Sequence, residues 1–149
     1  MVAGEGESTR KVLDAWAVIA WLRDEPASAG LVDSLLQKAK ARKVQLFLSV
    51  LNLGEIFYVT SKTRGLPAAE MVLEELAGLP IEVRAAPNAL VMEAARLKSL
   101  YPISYADAFA AATAIREGAR LVTGDPEMKV LSARGVLQLD WISGRRLSE

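Results

Sequence analysis

Four acidic residues of this sequence stand where carboxylates could act together on a ligand. Asp107 is the most unusual of them, because alanine residues surround it in the stretch between Ser104 and Gly118. A carboxylate buried there without a partner would cost several kcal/mol. The others lie after a predicted strand or on the helix that follows one, and they are Asp14, Glu55 and Asp125. Open α/β sheets bind ligands at the carboxyl ends of their strands, so these acids can meet at one edge.

Each of these acids also has a structural explanation when it is considered alone. Asp14 and Asp125 can be helix N-caps, and Pro126 in the first helical position suits that role for Asp125. Glu55 can be an exposed carboxylate on its helix, which is the usual environment of Glu. Only for Asp107 does its surrounding sequence favour a functional role, and for the other acids both explanations stay open.

The chemistry available to these carboxylates is limited by the absence of His and Cys from the sequence. Their absence excludes histidine general-base nucleases, Ser-His-Asp hydrolases and the usual zinc sites. Carboxylates brought within about 5 Å repel one another unless a cation lies between them. Because only oxygen ligands are available, we expect a hard cation, Mg²⁺ or Mn²⁺, which can activate a water molecule and neutralise charge on a phosphate. The sequence therefore predicts metal-dependent hydrolysis of phosphodiester bonds.

Short polar side chains near the acids are candidates for orienting them. Ser104 and Thr123 are hydroxyl residues close to two of the acids, and Asn52 lies on the same helical face as Glu55. The two hydroxyls can equally be cap or turn residues. Both roles stay open at this point.

The elements that would position these side chains alternate between strand and helix. Apolar runs predict strands at residues 11–13, 45–50, 81–84, 120–123 and 136–141. Predicted helices cover residues 16–22, 28–41, 51–63, 67–77, 87–100 and 105–117, with a short one ending near residue 132. Ser28 is expected to cap the second helix, and Leu31, Leu35 and Leu36 are expected to face inward. The alternation predicts an α/β protein, a three-layer α/β/α fold with a mainly parallel central sheet.

Length and charge limit the organisation and partners of the chain. At 149 residues, we expect a single domain over residues 11–149 after a polar, flexible tail at residues 1–10. The longest apolar run is too short to span a membrane, and the lack of Cys fits a cytoplasmic protein. Because basic and acidic residues number 18 each, binding of nucleic acid would need local clusters of bases. Candidates are Lys43, Lys62, Arg64, Arg96 and Lys98.

Four short segments of the chain, in their order and spacing, resemble a known family. They are Val12-Leu13-Asp14, Asn52-Leu53-Gly54-Glu55, Ile103-Ser104-Tyr105-Ala106-Asp107-Ala108 and Leu121-Val122-Thr123-Gly124-Asp125. Over residues 11–141 the sequence looks like a PIN domain, in particular the small toxin nucleases of the VapC family. The resemblance implies a compact parallel-sheet fold whose acidic set, Asp14, Glu55, Asp107 and Asp125, binds one or two Mg²⁺ or Mn²⁺ ions and cleaves RNA. It also implies a homodimer and a cognate antitoxin protein whose tail occupies the active-site groove.

Two hypotheses follow from the residues and the resemblance together. The first is a metal-dependent endoribonuclease that acts as the toxin of a VapBC-type toxin–antitoxin pair. The second is a catalytically weak or inactive PIN-like module that binds RNA or protein, because Ala15 and Trp16 stand where the family often has Ser or Thr. A phosphoacceptor domain of receiver type is disfavoured, since the first strand is followed by Asp14 alone rather than by clustered acids.

Overall fold

Strands and helices alternate along residues 9–143, the part of the chain that a computed structural model describes. The strands in this range are β1 (Arg10–Leu13), β2 (Gln45–Ser49), β3 (Ile81–Arg84), β4 (Arg120–Thr123) and β5 (Leu139–Trp141). The helices are α1 (Ala15–Leu22), α2 (Ser28–Lys40), α3 (Val50–Arg64), α4 (Leu66–Ala77), α5 (Asn88–Leu100), α6 (Tyr105–Glu117) and α7 (Lys129–Ala133), with a 3₁₀ turn at Pro126–Met128. Within this range, no helix is long and apolar enough to cross a membrane.

The strands form one parallel sheet in the order β3-β2-β1-β4-β5, which confirms the predicted parallel sheet. The chain builds from β1 outward to β3 and then returns to place β4 on the other side of β1. Strand order therefore reverses between β1 and β4, and the connections that leave these two carboxyl ends diverge and open a crevice. Asp14 directly follows β1, and Asp125 lies two residues after β4, so both acids belong to this crevice.

Successive residues of the strands face two separate apolar cores, as the pleat of a strand requires. Val12, Phe47 and Leu121 belong to the core beneath α5, α6 and α7. Leu13 and Val122 belong to the opposite core, beneath α1 to α4. The predicted three-layer α/β/α arrangement is therefore confirmed.

Helix α6 is buried continuously from Asp107 to Ala114. Small side chains let it lie close to its neighbours α3 and α5 and to the sheet. The alanines that make these contacts are each at most 1% exposed, and they are Ala108, Ala110, Ala111, Ala112 and Ala114. At one end, Ser104 caps the helix by accepting a hydrogen bond from the N–H of Asp107 at 3.1 Å. At the other end, Glu117 pairs with Arg10 at the start of β1, so α6 runs antiparallel to the strand and its first turn lies at the crevice.

For α2, the predicted cap at Ser28 and the predicted inward position of Leu31 are wrong, whereas Leu35 and Leu36 pack in the core as predicted. Ser28 does not cap the helix, because its hydroxyl instead donates to the carbonyl of Ile142 at 2.7 Å. The deeply buried positions are Val32 and Leu36, whereas Leu31 is 46% exposed. Leu31 and Val32 are adjacent in sequence, about 100° apart around a helix, so periodicity alone did not decide which of them turns inward.

The ends of some elements also differ from the prediction. β5 begins at Leu139 rather than at residue 136, because Gly135 adopts a left-handed φ of 71° in the turn before it. β1 begins at Arg10, one residue earlier than predicted. The predicted tail, residues 1–10, lies outside the described residues except for its last two, and the second of these is in the sheet.

We expect Gly118→Ala to destabilise the protein by about 1–2 kcal/mol, because a side chain with Cβ is strained at the φ of 61° with which Gly118 ends α6. Gly30→Ala in α2 is the matched control, since an added Cβ meets nothing within 4 Å at either glycine. At Gly30 the substitution should stabilise the helix by about 0.5–1 kcal/mol. Urea unfolding measures both changes, and equal effects would contradict the backbone assignment at Gly118.

Candidate active site

Asp14 joins the ends of β1 and β4. It is fully buried and forms the N-cap of α1, because its Oδ1 accepts a hydrogen bond from the N–H of Ala17 at 2.8 Å. Its Oδ2 accepts a second hydrogen bond from the hydroxyl of Thr123 at the end of β4. The N–H of Asp14 in turn donates to the carbonyl of Val122 at 3.3 Å. The capping explanation of Asp14 is correct, and the same contacts hold its carboxylate over the edge of the sheet.

The hydroxyl of Thr123 also positions Asp125. It accepts a hydrogen bond from the N–H of Asp125 at 3.0 Å while it donates to Asp14. The Asp125 carboxylate caps the 3₁₀ turn by accepting from the N–H of Glu127 at 3.0 Å. One threonine therefore fixes two of the predicted acids relative to each other.

Asn52 connects α3 to the first turn of α6. Its Nδ2 donates to the carbonyl of Ala106 at 3.1 Å and, over a longer distance of 3.4 Å, to Oε1 of Glu55. The carbonyl decides the orientation of the amide, since the amide oxygen would be repelled there. Asn52 Oδ1 is consequently buried without a hydrogen-bond partner. This amide brings Glu55 toward the turn that carries Asp107.

Carboxylate oxygens of Asp107, Asp125 and Glu127 lie within 4.8 Å of one another. Among residues 9–143, no other three acids meet in this way, so Asp14 and Glu55 remain outside the tight group. Glu127 was not predicted as a site residue. Its Oε1 accepts a hydrogen bond from the N–H of Ser104 at 3.1 Å, which ties the 3₁₀ turn to α6. An acid in the first turn of a helical segment is common, so the sequence carried no signal that distinguished Glu127.

Burial and mutual repulsion make Asp14, Glu55 and Asp107 hard to ionise. Burial raises the pKa of Asp14 to about 7, although the Thr123 and Ala17 hydrogen bonds oppose the shift. Burial followed by the charges of Asp125 and Asp14 raises the pKa of Asp107 to about 8. The pKa of Glu55 is also raised, mainly by burial and further by Asp125. An interaction with the side chain of Asp125 adds a smaller upward shift to the pKa of Asp107.

These properties test whether the residues fit a metal ion. The donors that meet here are all carboxylate oxygens, which hard divalent cations prefer. A positive charge among them would oppose the repulsion that raises the pKa values of Asp14 and Asp107. The donor set therefore fits a divalent cation of the Mg²⁺ or Mn²⁺ type.

Glu55, Asp107 and Asp125 line a cleft of about 490 Å³, which we call the acidic cleft. Further lining residues come from α1 and the connection after it. They include Ala15, Trp16, Ile19, Ala20, Arg23 and Glu25. The acidic cleft therefore combines carboxylates with an aromatic ring and a cation.

The basic residues expected to bind nucleic acid do not line the acidic cleft. Of the Lys and Arg residues in the described chain, Arg23 is the one that does. Arg64, one of the predicted bases, lines a smaller pocket next to it that also includes Arg23. Lys98 instead donates to the carbonyl of Ile103 at 3.0 Å. Arg23 was missed because a cation at the end of a helix has an ordinary explanation in the helix dipole.

Comparison with known proteins agrees with this fold. The family model that describes the PIN domain matches residues 11–133, so the chain belongs to the PIN domain family. No curated protein sequence matches the chain at a significant level.

Several solved structures share the fold. VapBC2 from Rickettsia felis, bound to a DNA fragment from their promoter, is similar with 19% identity and a TM-score of 0.68, over 90% of this chain and 99% of that one. VapC20 of Mycobacterium tuberculosis, a toxin that cleaves the sarcin-ricin loop, has 18% identity and a TM-score of 0.65. The match covers 80% of this chain and 93% of that one. FitAcB from Neisseria gonorrhoeae has 20% identity and a TM-score of 0.62, and the match covers 87% of this chain and 96% of that one. At these identities the likeness concerns the fold.

We expect the metal-free protein to lose stability as the pH rises from about 4 toward 8. Asp14 and Asp107 have folded-state pKa values of about 7 and about 8, above the ordinary value of 3.8, so the folded state holds protons that the unfolded state has released. Each such group lowers the free energy of unfolding by about 1.4 kcal/mol per pH unit within this window. Thermal unfolding in chelator measures the slope, and Asp107→Asn should reduce it.

Asp140 provides a control, because its pKa is shifted in the opposite direction. Burial alone would raise the pKa of Asp140, but hydrogen bonds and charges from Lys11 and Arg120 outweigh burial and leave it lowered. Stability from Asp140 is therefore present above its unfolded pKa and is lost as the pH falls through the folded value. Asp140→Asn should destabilise the protein at pH 8, where Asp107→Asn stabilises the metal-free form. A slope that is unchanged in Asp107→Asn would contradict the burial argument.

Proposed function

We propose that this protein is a metal-dependent endoribonuclease, a hydrolase that acts as the toxin of a VapBC-type toxin–antitoxin pair. The observation that carries the proposal is the meeting of Asp107, Asp125 and Glu127 within 4.8 Å, at the edge of the sheet where Asp14 is buried. Membership of the PIN domain family supports it, as does the fold shared with a toxin that cleaves the sarcin-ricin loop. The site is proposed to act on phosphodiester bonds of RNA.

Each acid has a proposed part in the reaction. Asp107, Asp125 and Glu127 would hold the cation, with Asp14 adding negative charge from beneath. Glu55 lines the acidic cleft from α3, and its raised pKa makes its carboxylate a better acceptor for a proton from water. A bound Mg²⁺ or Mn²⁺ would neutralise charge on the phosphate and favour ionisation of the attacking water.

The alternative, a PIN-like module that binds without cutting, rests on Ala15 and Trp16 in place of hydroxyl residues. The contacts of Asp14 weaken this argument, because Thr123 already supplies a hydroxyl to its carboxylate. The position of all four predicted acids around the β1–β4 crevice supports a catalytic role. We therefore favour the enzyme.

Partners are proposed from the same relationships. Similar structures from Rickettsia felis and Salmonella typhimurium are VapBC assemblies bound to DNA, which supports an antitoxin as the partner of this chain. A homodimer remains a proposal that follows from the resemblance to the VapC family. A cytoplasmic location is proposed from the lack of Cys in the sequence.

We expect RNA to be cleaved in Mg²⁺ or Mn²⁺ and to stay intact in EDTA. Loss of a hydrogen bond that supports a metal ligand typically reduces activity by roughly 10- to 100-fold. Asp107→Asn should reduce the cleavage rate by more than this. Thr123→Val, which keeps the shape but removes the hydroxyl that binds Asp14, should fall within that range. Gel analysis of a single-stranded RNA over time measures these rates.

Two further variants make this experiment specific. Glu127→Gln keeps an oxygen for the N–H of Ser104 but removes the charge, so it should lose activity while the fold stays intact. Asp33→Asn removes a charge from an exposed position of α2 and should leave cleavage unchanged. Cleavage that survives EDTA or persists in Asp107→Asn would reject the mechanism.

We also expect Arg23→Gln to weaken RNA binding by reducing contact with a phosphate. The dependence of the binding constant on salt should become shallower by about one unit of slope, because one fewer phosphate is neutralised. Lys40→Gln removes the same charge from the last turn of α2, outside the acidic cleft, and should change little. Fluorescence anisotropy at several salt concentrations measures the slope, and equal effects of the two variants would exclude a specific contact of Arg23.

A further inference from the structure

Trp16 lies on the face of α1 that lines the acidic cleft. This face repeats at helical spacing through Ile19, Ala20 and Arg23, all of which line the same cleft. Trp16 and Arg23 are seven residues apart, so about 10 Å of helix axis separates the aromatic ring from the cation. The ring is partly exposed, although its inner part packs against the apolar core on this side of the sheet.

Gly124 fixes the position of this ring. A Cβ on Gly124 would lie 2.4 Å from both Cη2 and Cζ3 of Trp16, so only a glycine leaves room for the indole. Gly124 has no positive φ, and the turn itself therefore does not require glycine. The indole consequently lies directly against the backbone between Thr123 and Asp125.

Two roles for the indole can be compared. Core packing explains its inner contacts, but an aliphatic side chain would serve that purpose without the close approach to Gly124. Aromatic rings beside a site that binds phosphate commonly stack on nucleobases, and the base must be unpaired to reach them. The ring is partly exposed and faces a cleft that contains acidic side chains as well as a cation, which matches this second role.

We propose that Trp16 is a nucleobase-binding residue, whose indole stacks on the base next to the phosphate held at the acidic residues. The proposal rests on the proposed function, since it assumes RNA in the acidic cleft. Arg23, two turns further along the same face, is placed to meet the phosphate backbone beyond that base. The substrate segment at this position is therefore an unpaired strand.

The test uses Trp16 as its own reporter. In the variant Trp21→Phe/Trp141→Phe, Trp16 is the remaining tryptophan of the chain. Rapid mixing with a single-stranded oligoribonucleotide in Mg²⁺ should quench its fluorescence in a saturable manner. The same RNA annealed into a blunt duplex should produce little quenching. Equal quenching by the duplex, or none by the single strand, would overturn the proposal.

Substitutions of Trp16 provide a second measurement. Trp16→Leu keeps an apolar side chain but removes the aromatic face, and should weaken binding of the single strand by roughly 5- to 150-fold. Trp16→Phe should recover most of that affinity. If both variants bind as the parent does, the indole serves only for packing, and the proposal fails. The fluorescence measurement stands even if Trp16→Leu does not fold.

The two proposals fail in different ways. Quenching of Trp16 without any cleavage of RNA would leave the base-binding site intact and reject the nuclease. Cleavage that is equally efficient in Trp16→Leu, with no quenching in the reporter variant, would reject the base-binding site and leave the nuclease.

Discussion

Carboxylates buried beside one another at the carboxyl edge of the sheet constrain everything around them. Burial raises the pKa values of Asp14 and Asp107, and the charge of Asp125 adds to both shifts. N–H and O–H donors offset part of this cost at Asp14, where Thr123 and Ala17 each supply one hydrogen bond. The free-energy cost that remains for the ionised carboxylates is relieved either by protonation or by a bound cation. The fit of these acids to a divalent cation follows from this electrostatic imbalance more directly than from any single residue.

The fold creates this imbalance with ordinary structural devices. Reversal of strand order between β1 and β4 opens the crevice, and helix caps place the acids in it. A capping role and a ligand role are compatible, because a carboxylate has two oxygens with several lone pairs. Asp125 uses Oδ1 for its cap, whereas Asp14 uses both oxygens for hydrogen bonds within the protein. Asp14 therefore contributes mainly charge and position, and the tight group is formed by Asp107, Asp125 and Glu127.

The elements that line the acidic cleft contribute different chemistry. The acids come from the sheet edge, α3 and α6, while α1 presents Trp16 and Arg23. In the sequence, Trp16 was notable only for the hydroxyl that it replaces. The contact between Trp16 and Gly124 explains the glycine, because the indole occupies the space that a side chain at position 124 would need. Such a pair, separated by more than a hundred residues, leaves no mark on local patterns.

Local patterns determined the fold class and the acids, because strand and helix periodicity and an aspartate among alanines can be recognised within a few residues. They placed Asp14, Glu55, Asp107 and Asp125 at compatible ends of their elements, and the absence of His and Cys left only oxygen ligands. Only the tertiary structure decided that Glu127 joins the acids, that Arg23 is the cation lining the cleft within residues 9–143, and that Leu31 faces outward. These facts depend on the angle at which each helix leaves the sheet, which is set by packing between segments that are distant in the chain.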